Sequence, residues 1–202
     1  AGGAALGAIV GRIAGNTAVG AAVGTAVGAG TGALIGKHMD KVKAQAQAVE
    51  NAQVESYTDA NGLQGVKVTF DSGILFGTGS STLQAAAKNS LTQFANNVLK
   101  VNTDCDVAIQ GYTDNQGWKN STAEQSAQKN LNLSQQRAQA VTNYLQSLGV
   151  SASQIRSTTG FGEANPVADN STAAGKAQNR RVEVILYASE AMIKAAEAGT
   201  LQ

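Results

Sequence analysis

Glycine recurs at every fourth residue at the start of this chain, as Gly3, Gly7, Gly11 and Gly15, slips by one at Gly15-Asn16-Thr17, and resumes as Gly20, Gly24, Gly28, Gly32 and Gly36. Between them stand almost only Ala, Val, Leu, Ile and Thr, and Arg12 is the one charge in residues 1–36. A flexible linker would be richer in Ser. In water a helix of this composition is poorly supported, because each interior Gly costs about 0.8–1 kcal/mol against Ala. In lipid, small residues at this spacing let helix backbones approach closely. The repeat therefore predicts a helical membrane hairpin over residues 1–36 that turns at Gly15-Asn16-Thr17, with Gly20, Gly24, Gly28 and Gly32 as packing residues. Its second arm, 18–35, would be about 27 Å long and span a thin bilayer, whereas 4–14, at about 16 Å, falls short. The first arm is thus expected to be truncated where the chain begins, with Arg12 facing a partner or snorkelling to the interface. No basic n-region or cleavage pattern of a secretory signal is visible.

The sequence after the hairpin, GALIGKH, is not a phosphate loop. Gly32 and Gly36 enclose three residues where four are needed, and His38 follows Lys37 where Ser or Thr would hold magnesium. Lys37, His38, Lys41 and Lys43 read as a solvated collar at a membrane surface. His38 has no nearby partners with metal-ligand spacing, so no metal site is expected. Residues 37–62 then read as a polar helical spacer, rich in Ala and Gln and about 30 Å long as far as residue 57. Asp59, Ala60, Asn61 and Gly62 break it.

With 202 residues and 43% hydrophobic content, the chain can bury one domain core with residues left over. That domain is expected over 63–188. Apolar alternation marks strands at 63–70, 105–112, 155–162 and 180–188, and helical periodicity marks 82–101 and 133–148, the latter closed by Gly149. A short helix is expected within 189–202. Helices and strands alternate, which predicts an α/β sandwich with helices on one face of a sheet. The one cysteine, Cys105, alternates with Asp104 and Asp106 and belongs on the buried face of its strand as an inert thiol. Fifteen Lys and Arg against fourteen acids leave a net charge of +1, too little for counterion-driven nucleic-acid binding.

The second helix holds an anomaly. Ser134 stands where a helix cap belongs, yet the residue three places on, where a capping box has Glu or Gln, is Arg137. Catalysis is not expected. The domain has no histidine and its cysteine is buried by pattern, so no Ser-His or Cys-His pair is available, and nothing pairs Asp71, Asp104, Asp106, Asp114 and Glu163.

The blocks GYTDNQG, NLNLSQQRAQAVTNYLQSLGV, IRSTTGFGEANPVADN and NRRVEV occur in this order, and together they closely resemble the OmpA C-terminal-like domain, the peptidoglycan-associated module of outer-membrane proteins and lipoproteins. The resemblance implies a βαβαββ fold and non-covalent binding of the meso-diaminopimelate of cell-wall stem peptides. By motif it assigns Asp114 and Arg137 to the ligand, with Ser72, Thr113 and Asn130 supporting. Arg181, or its neighbour Arg180, would face the same cleft. Diaminopimelate carries an ammonium and a carboxylate on one carbon, so Asp114 would take the first and Arg137 the second with a bidentate fork. Placed in a first helical turn, Arg137 would share that carboxylate with free backbone amides and the helix dipole. Two features depart from the family pattern. Tyr112 replaces a histidine, and the stretch between Asp114 and Arg137 is longer, forming a loop over 115–130 whose Trp118 either stacks on a glycan ring or packs on the surface.

The N-terminal part resembles glycine-zipper two-helix lipoproteins, which implies a lipidated Cys upstream of Ala1. The combined expectation is a non-enzymatic, cofactor-free anchor of a Gram-negative outer membrane to peptidoglycan, with its soluble domain in the periplasm. The alternative is a glycine-zipper homo-oligomer that organises outer-membrane lipid or proteins, with wall binding secondary. A stator-type role is disfavoured, because no Asp or Glu lies within 1–36 to carry protons.

Overall fold

Five strands form the framework: β1 (Ala52–Thr58), β2 (Gln64–Asp71), β3 (Cys105–Tyr112), β4 (Ile155–Gly160) and β5 (Arg181–Ala188). The computed structural model describes residues 27–58 and 62–202. The expectations for the first hairpin arm, its turn, Gly20 and Gly24 lie outside these residues. The sheet order is β1-β2-β5-β3-β4, antiparallel throughout except for the parallel β3–β4 pair. Among the described residues six α-helices accompany it: α1 (Ala29–Gln47), α2 (Ser72–Leu75), α3 (Ala85–Phe94), α4 (Ala123–Ser147), α5 (Ala173–Asn179) and α6 (Glu190–Glu197). A π-helical turn, Ala95–Leu99, continues α3.

Alternation fixes the core. Val66, Val68 and Phe70 of β2, Cys105, Val107 and Ile109 of β3, and Val182, Val184 and Leu186 of β5 point to one face and meet residues of α1, α3, α4 and α6. Each fully buried aliphatic side chain contributes about 1.5–3 kcal/mol there. The other face carries a smaller cluster of Tyr57, Ala108, Ile185 and Tyr187. Cys105 is wholly buried as expected, and burial, reinforced by the charges of Asp104 and Asp106, pushes its thiol far above the usual range.

The structure corrects three expectations. The segment read as a spacer is part of the folded unit, because Ile35, Met39, Val42 and Ala46 of α1 form a helical stripe buried against the sheet. The polar residues that suggested a free spacer lie on the opposite side, where Lys37 and Lys41 are exposed. Strand β1, also within the former spacer, pairs with β2, so the folded unit begins well before residue 63. Second, among the described residues the helix of the second arm starts only at Ala29, with Gly28 outside it as its N-cap at φ −56° and ψ 148°. Ile35 sits in the domain core, and no helix among the described residues is long and apolar enough to cross a membrane. Among the described residues, a Cβ built on Gly28 or Gly32 meets nothing within 4 Å.

The third correction concerns the anomaly at Arg137. Helix α4 begins ten residues earlier than its apolar pattern suggested, at a true capping box: Thr122 Oγ1 accepts the Gln125 N–H at 3.1 Å, and Gln125 Oε1 accepts the Thr122 N–H at 3.0 Å. Ser134 and Arg137 are mid-helix. The dipole contribution fades within the first turn, so free amides do not assist Arg137. Much of the expected loop over 115–130 is the start of this helix.

Candidate functional site

The seat of α4 positions the site. Gly111 and Gly160 are partners across the parallel strands β3 and β4. A Cβ on Gly111 would fall 2.3 Å from the Ser134 carbonyl oxygen, and one on Gly160 would fall 2.2 Å from the Gln135 nitrogen. The bare glycine backbones thus let the middle of α4 lie directly on the sheet. Ser134, whose position suggested a cap, accepts the Gly162 N–H on its hydroxyl at 2.8 Å and ties the helix to the loop after β4. This seat presents Arg137 toward the ends of β2, β3 and β5.

Arg137 is nearly buried, at 4% exposure, yet its nearest polar partners are neutral. Its Nε donates to the Ser80 carbonyl at 2.9 Å and its Nη2 to the Gly77 carbonyl at 3.4 Å, while the guanidinium lies 5.2 Å from the Phe76 ring centroid. Burial, and then the charge of Arg180, hold its pKa below the usual guanidinium value, with Asp114 opposing them. An arginine starting from so high a value remains charged at neutral pH.

Asp114 lies two residues past the end of β3 and is 5% exposed. Its Oδ1 accepts the Gln116 N–H at 2.9 Å, and its Oδ2 accepts from Arg180 Nη1 at 2.5 Å. Among the described residues Asp114 forms its ion pair with Arg180 and none with Arg137. Asp114 and Arg137 instead line one cleft of about 610 Å³, together with Ser72, Trp118, Asn130 and Arg180. Two buried opposite charges that do not neutralise each other suit a ligand carrying both signs.

The supporting residues divide by role. Ser72 is buried in the cleft wall with its hydroxyl unpartnered among the described residues. Thr113 lines the cleft, but its Oγ1 donates to the Asp114 carbonyl at 2.9 Å. Asn130, on the same face of α4 as Arg137, donates to the Gln116 carbonyl at 3.2 Å and accepts the Trp118 indole N–H at 2.8 Å, so it holds the loop that carries Asp114. Arg181 does not face the cleft. Consecutive strand residues point to opposite faces, and Arg181 pairs with Glu183 at 2.8 Å while stacking 3.9 Å from the centroid of Tyr112. Its neighbour Arg180 occupies the cleft.

Two cleft features were weakly legible. Trp118 lines the cleft as well as packing on Asn130, and reaches to within 3.9 Å of a Cβ built on Gly79. Phe76, beneath Arg137, comes from α2 and the turn after it, too short for periodicity to reveal. Tyr112, in the position of the family histidine, donates its hydroxyl to Gln110 and stacks on Phe161 at 5.3 Å, and burial raises its pKa. No histidine or cysteine lines the cleft.

The sheet order, the packing of α1, α3, α4 and α6 on one face and the cleft at the strand ends define a mixed α/β domain of the OmpA-like class. The chain belongs to the OmpA family, whose profile matches residues 75–180, and a glycine zipper profile matches residues 1–43. It is 41% identical over 152 residues to the probable lipoprotein YiaD of Escherichia coli, covering 75% of this chain and 64% of that protein. It is also 41% identical over 113 residues to the peptidoglycan-binding protein ArfA of Mycobacterium tuberculosis, covering 56% of this chain and 32% of that one. The chain therefore spans less than two thirds of either relative. Among solved structures, the cell wall anchor of the T6SS from Pseudomonas aeruginosa superposes with a TM-score of 0.58 at 27% identity, covering 75% of this chain and 97% of the other.

Proposed function

We propose that this protein anchors a Gram-negative outer membrane to the cell wall without covalent chemistry, its periplasmic domain gripping the diaminopimelate of peptidoglycan stem peptides. The observation that carries this reading is the shared cleft of Asp114 and Arg137, buried and unpaired with one another. A ligand ammonium would join Arg180 on Asp114, and a ligand carboxylate would meet Arg137, whose Nη1 has no partner among the described residues. Ser72 offers an unpartnered hydroxyl beside them, Thr113 shapes the wall, and Asn130 positions the loop. The relatives named as peptidoglycan-binding, lipoprotein and cell wall anchor support the same role. The cleft binds and does not catalyse, since a non-covalent tether needs only recognition.

Residues 1–43 would engage outer-membrane lipid, or a second copy or outer-membrane protein, through the zipper glycines Gly20, Gly24, Gly28 and Gly32. Among the described residues nothing packs on Gly28 or Gly32, which leaves room for such a partner and supports the second reading, an oligomer that organises the membrane with wall binding secondary.

Co-sedimentation with sacculi of the diaminopimelate type tests the first reading. Asp114→Ala and Arg137→Ala should each abolish it while the fold persists, and retention by both variants would refute the assignment. Two charge-assisted contacts of about 1.5–3 kcal/mol each imply weak single sites, so tight retention in the wild type depends on many copies engaging one lattice.

A further inference from the structure

At the end of β3 remote from the cleft, roughly 25 Å away along the strand at about 3.3 Å per residue, three chemically distinct donors converge. His38 of α1, Asp104 and Cys105 bring an imidazole nitrogen, a carboxylate oxygen and a thiol sulfur within 4.8 Å of one another. His38 had no ligand partners nearby in sequence. Folding supplies them by laying α1 across the sheet.

The histidine is oriented for ligation. Its Nδ1 lies 2.9 Å from the main-chain oxygen of Gln202, which can only accept, so Nδ1 carries the hydrogen. Its Nε2 is buried without a hydrogen-bond partner among the described residues and lies 3.3 Å from Asp104 Oδ2. A ring nitrogen and a carboxylate oxygen thus stand side by side, an arrangement that a cation shared between them makes favourable. A ring N–H bonded to a carbonyl, with the other nitrogen free, is the arrangement that metal-ligating histidines adopt. A separation of 3.3 Å also matches two ligand atoms on a tetrahedral ion with bonds of about 2.0–2.2 Å. The sulfur excludes calcium and magnesium as the natural occupants, since these take oxygen ligands, and favours zinc-like ions.

We propose that His38 Nε2, the Asp104 carboxylate and Cys105 Sγ form a site for one divalent transition-metal ion of the zinc class, with water completing a tetrahedron. Cys105 binds as thiolate and its proton passes to solvent, so the ion exchanges for the sulfur-bound proton. The bound ion cross-links α1, which leads out of the glycine-rich segment, to the first residues of β3.

The test uses the full chain in detergent, stripped with a chelator and titrated with Co²⁺ and Zn²⁺. One ion per chain should bind, and Co²⁺ should give the near-ultraviolet sulfur-to-metal charge-transfer absorption that requires a thiolate ligand. His38→Ala should weaken binding by more than about tenfold, the smallest loss that even indirect ligand supports produce, and Cys105→Ala should remove the absorption. Sacculus retention by His38→Ala checks that the domain remains folded. Absence of binding, binding without the sulfur absorption, or an affinity unchanged in His38→Ala would each overturn the site.

Discussion

Arg180 is joined to Asp114 through Nη1 and Oδ2 at 2.5 Å, so the acid of the cleft already carries a cation. On the proposed reading a ligand ammonium would share Asp114 with that guanidinium, whereas a ligand carboxylate would meet both Arg137 and Arg180. The cleft should therefore reject simple amines and favour zwitterions. Arg180→Gln removes the competing charge but keeps a donor. Because the Arg180 side chain is 39% exposed and its charge is screened, affinity for a diaminopimelate peptide should fall by less than about tenfold. The preference for that peptide over one carrying lysine should narrow. Calorimetric titration of both peptides gives the ratio, and an unchanged ratio would contradict the role given to Arg180.

Gly160 carries the geometry that places Arg137. In Gly160→Ala the new methyl must displace the Gln135 backbone from a 2.2 Å approach. Overpacking of this kind costs about 1–3 kcal/mol, to be read from urea unfolding. The shift should also move α4 and weaken sacculus retention, although residue 160 does not line the cleft. Full stability together with full retention would show that the close seat of the helix is unnecessary.

Met39 decides whether α1 belongs to the domain. As a wholly buried residue it should cost about 2–5 kcal/mol when changed to Ala, whereas a free spacer would tolerate the change. Trp118 is the single tryptophan and lies in the cleft rather than against α1. Its fluorescence during denaturation thus reports whether loss at Met39 is felt across the whole domain.

Strand β3 was legible because Cys105, Val107 and Ile109 alternate with polar or small residues on a half-buried surface, and Asp114 and Arg137 because they sit in motif blocks whose order is distinctive. Strand β1 was missed for the opposite reason. It is an edge strand in which only Tyr57 is buried, so its alternation is barely apolar. Ile35, Met39, Val42 and Ala46 do have helical spacing, but lysines between them and the glycine repeat before them masked it. The start of α4 was hidden because its first turns bury mainly Ser126 and Asn130 and leave Leu131 exposed, although Thr122 and Gln125 spell the capping box. The choice between Arg180 and Arg181 turns on where β5 begins, and a shift of one residue reverses the face.

The most direct test of the central claim is calorimetric titration of the full chain with two stem peptides that differ only at the third residue, one bearing meso-diaminopimelate and the other lysine. Lysine keeps the side-chain ammonium and lacks the adjacent carboxylate. Losing one charge-assisted contact to Arg137, at about 1.5–3 kcal/mol, predicts binding roughly tenfold to a hundredfold weaker for the lysine peptide. Arg137→Ala should bind both peptides poorly and lose most of the difference between them, leaving only the smaller contribution of Arg180. Equal affinity of the wild-type chain for the two peptides would contradict the account.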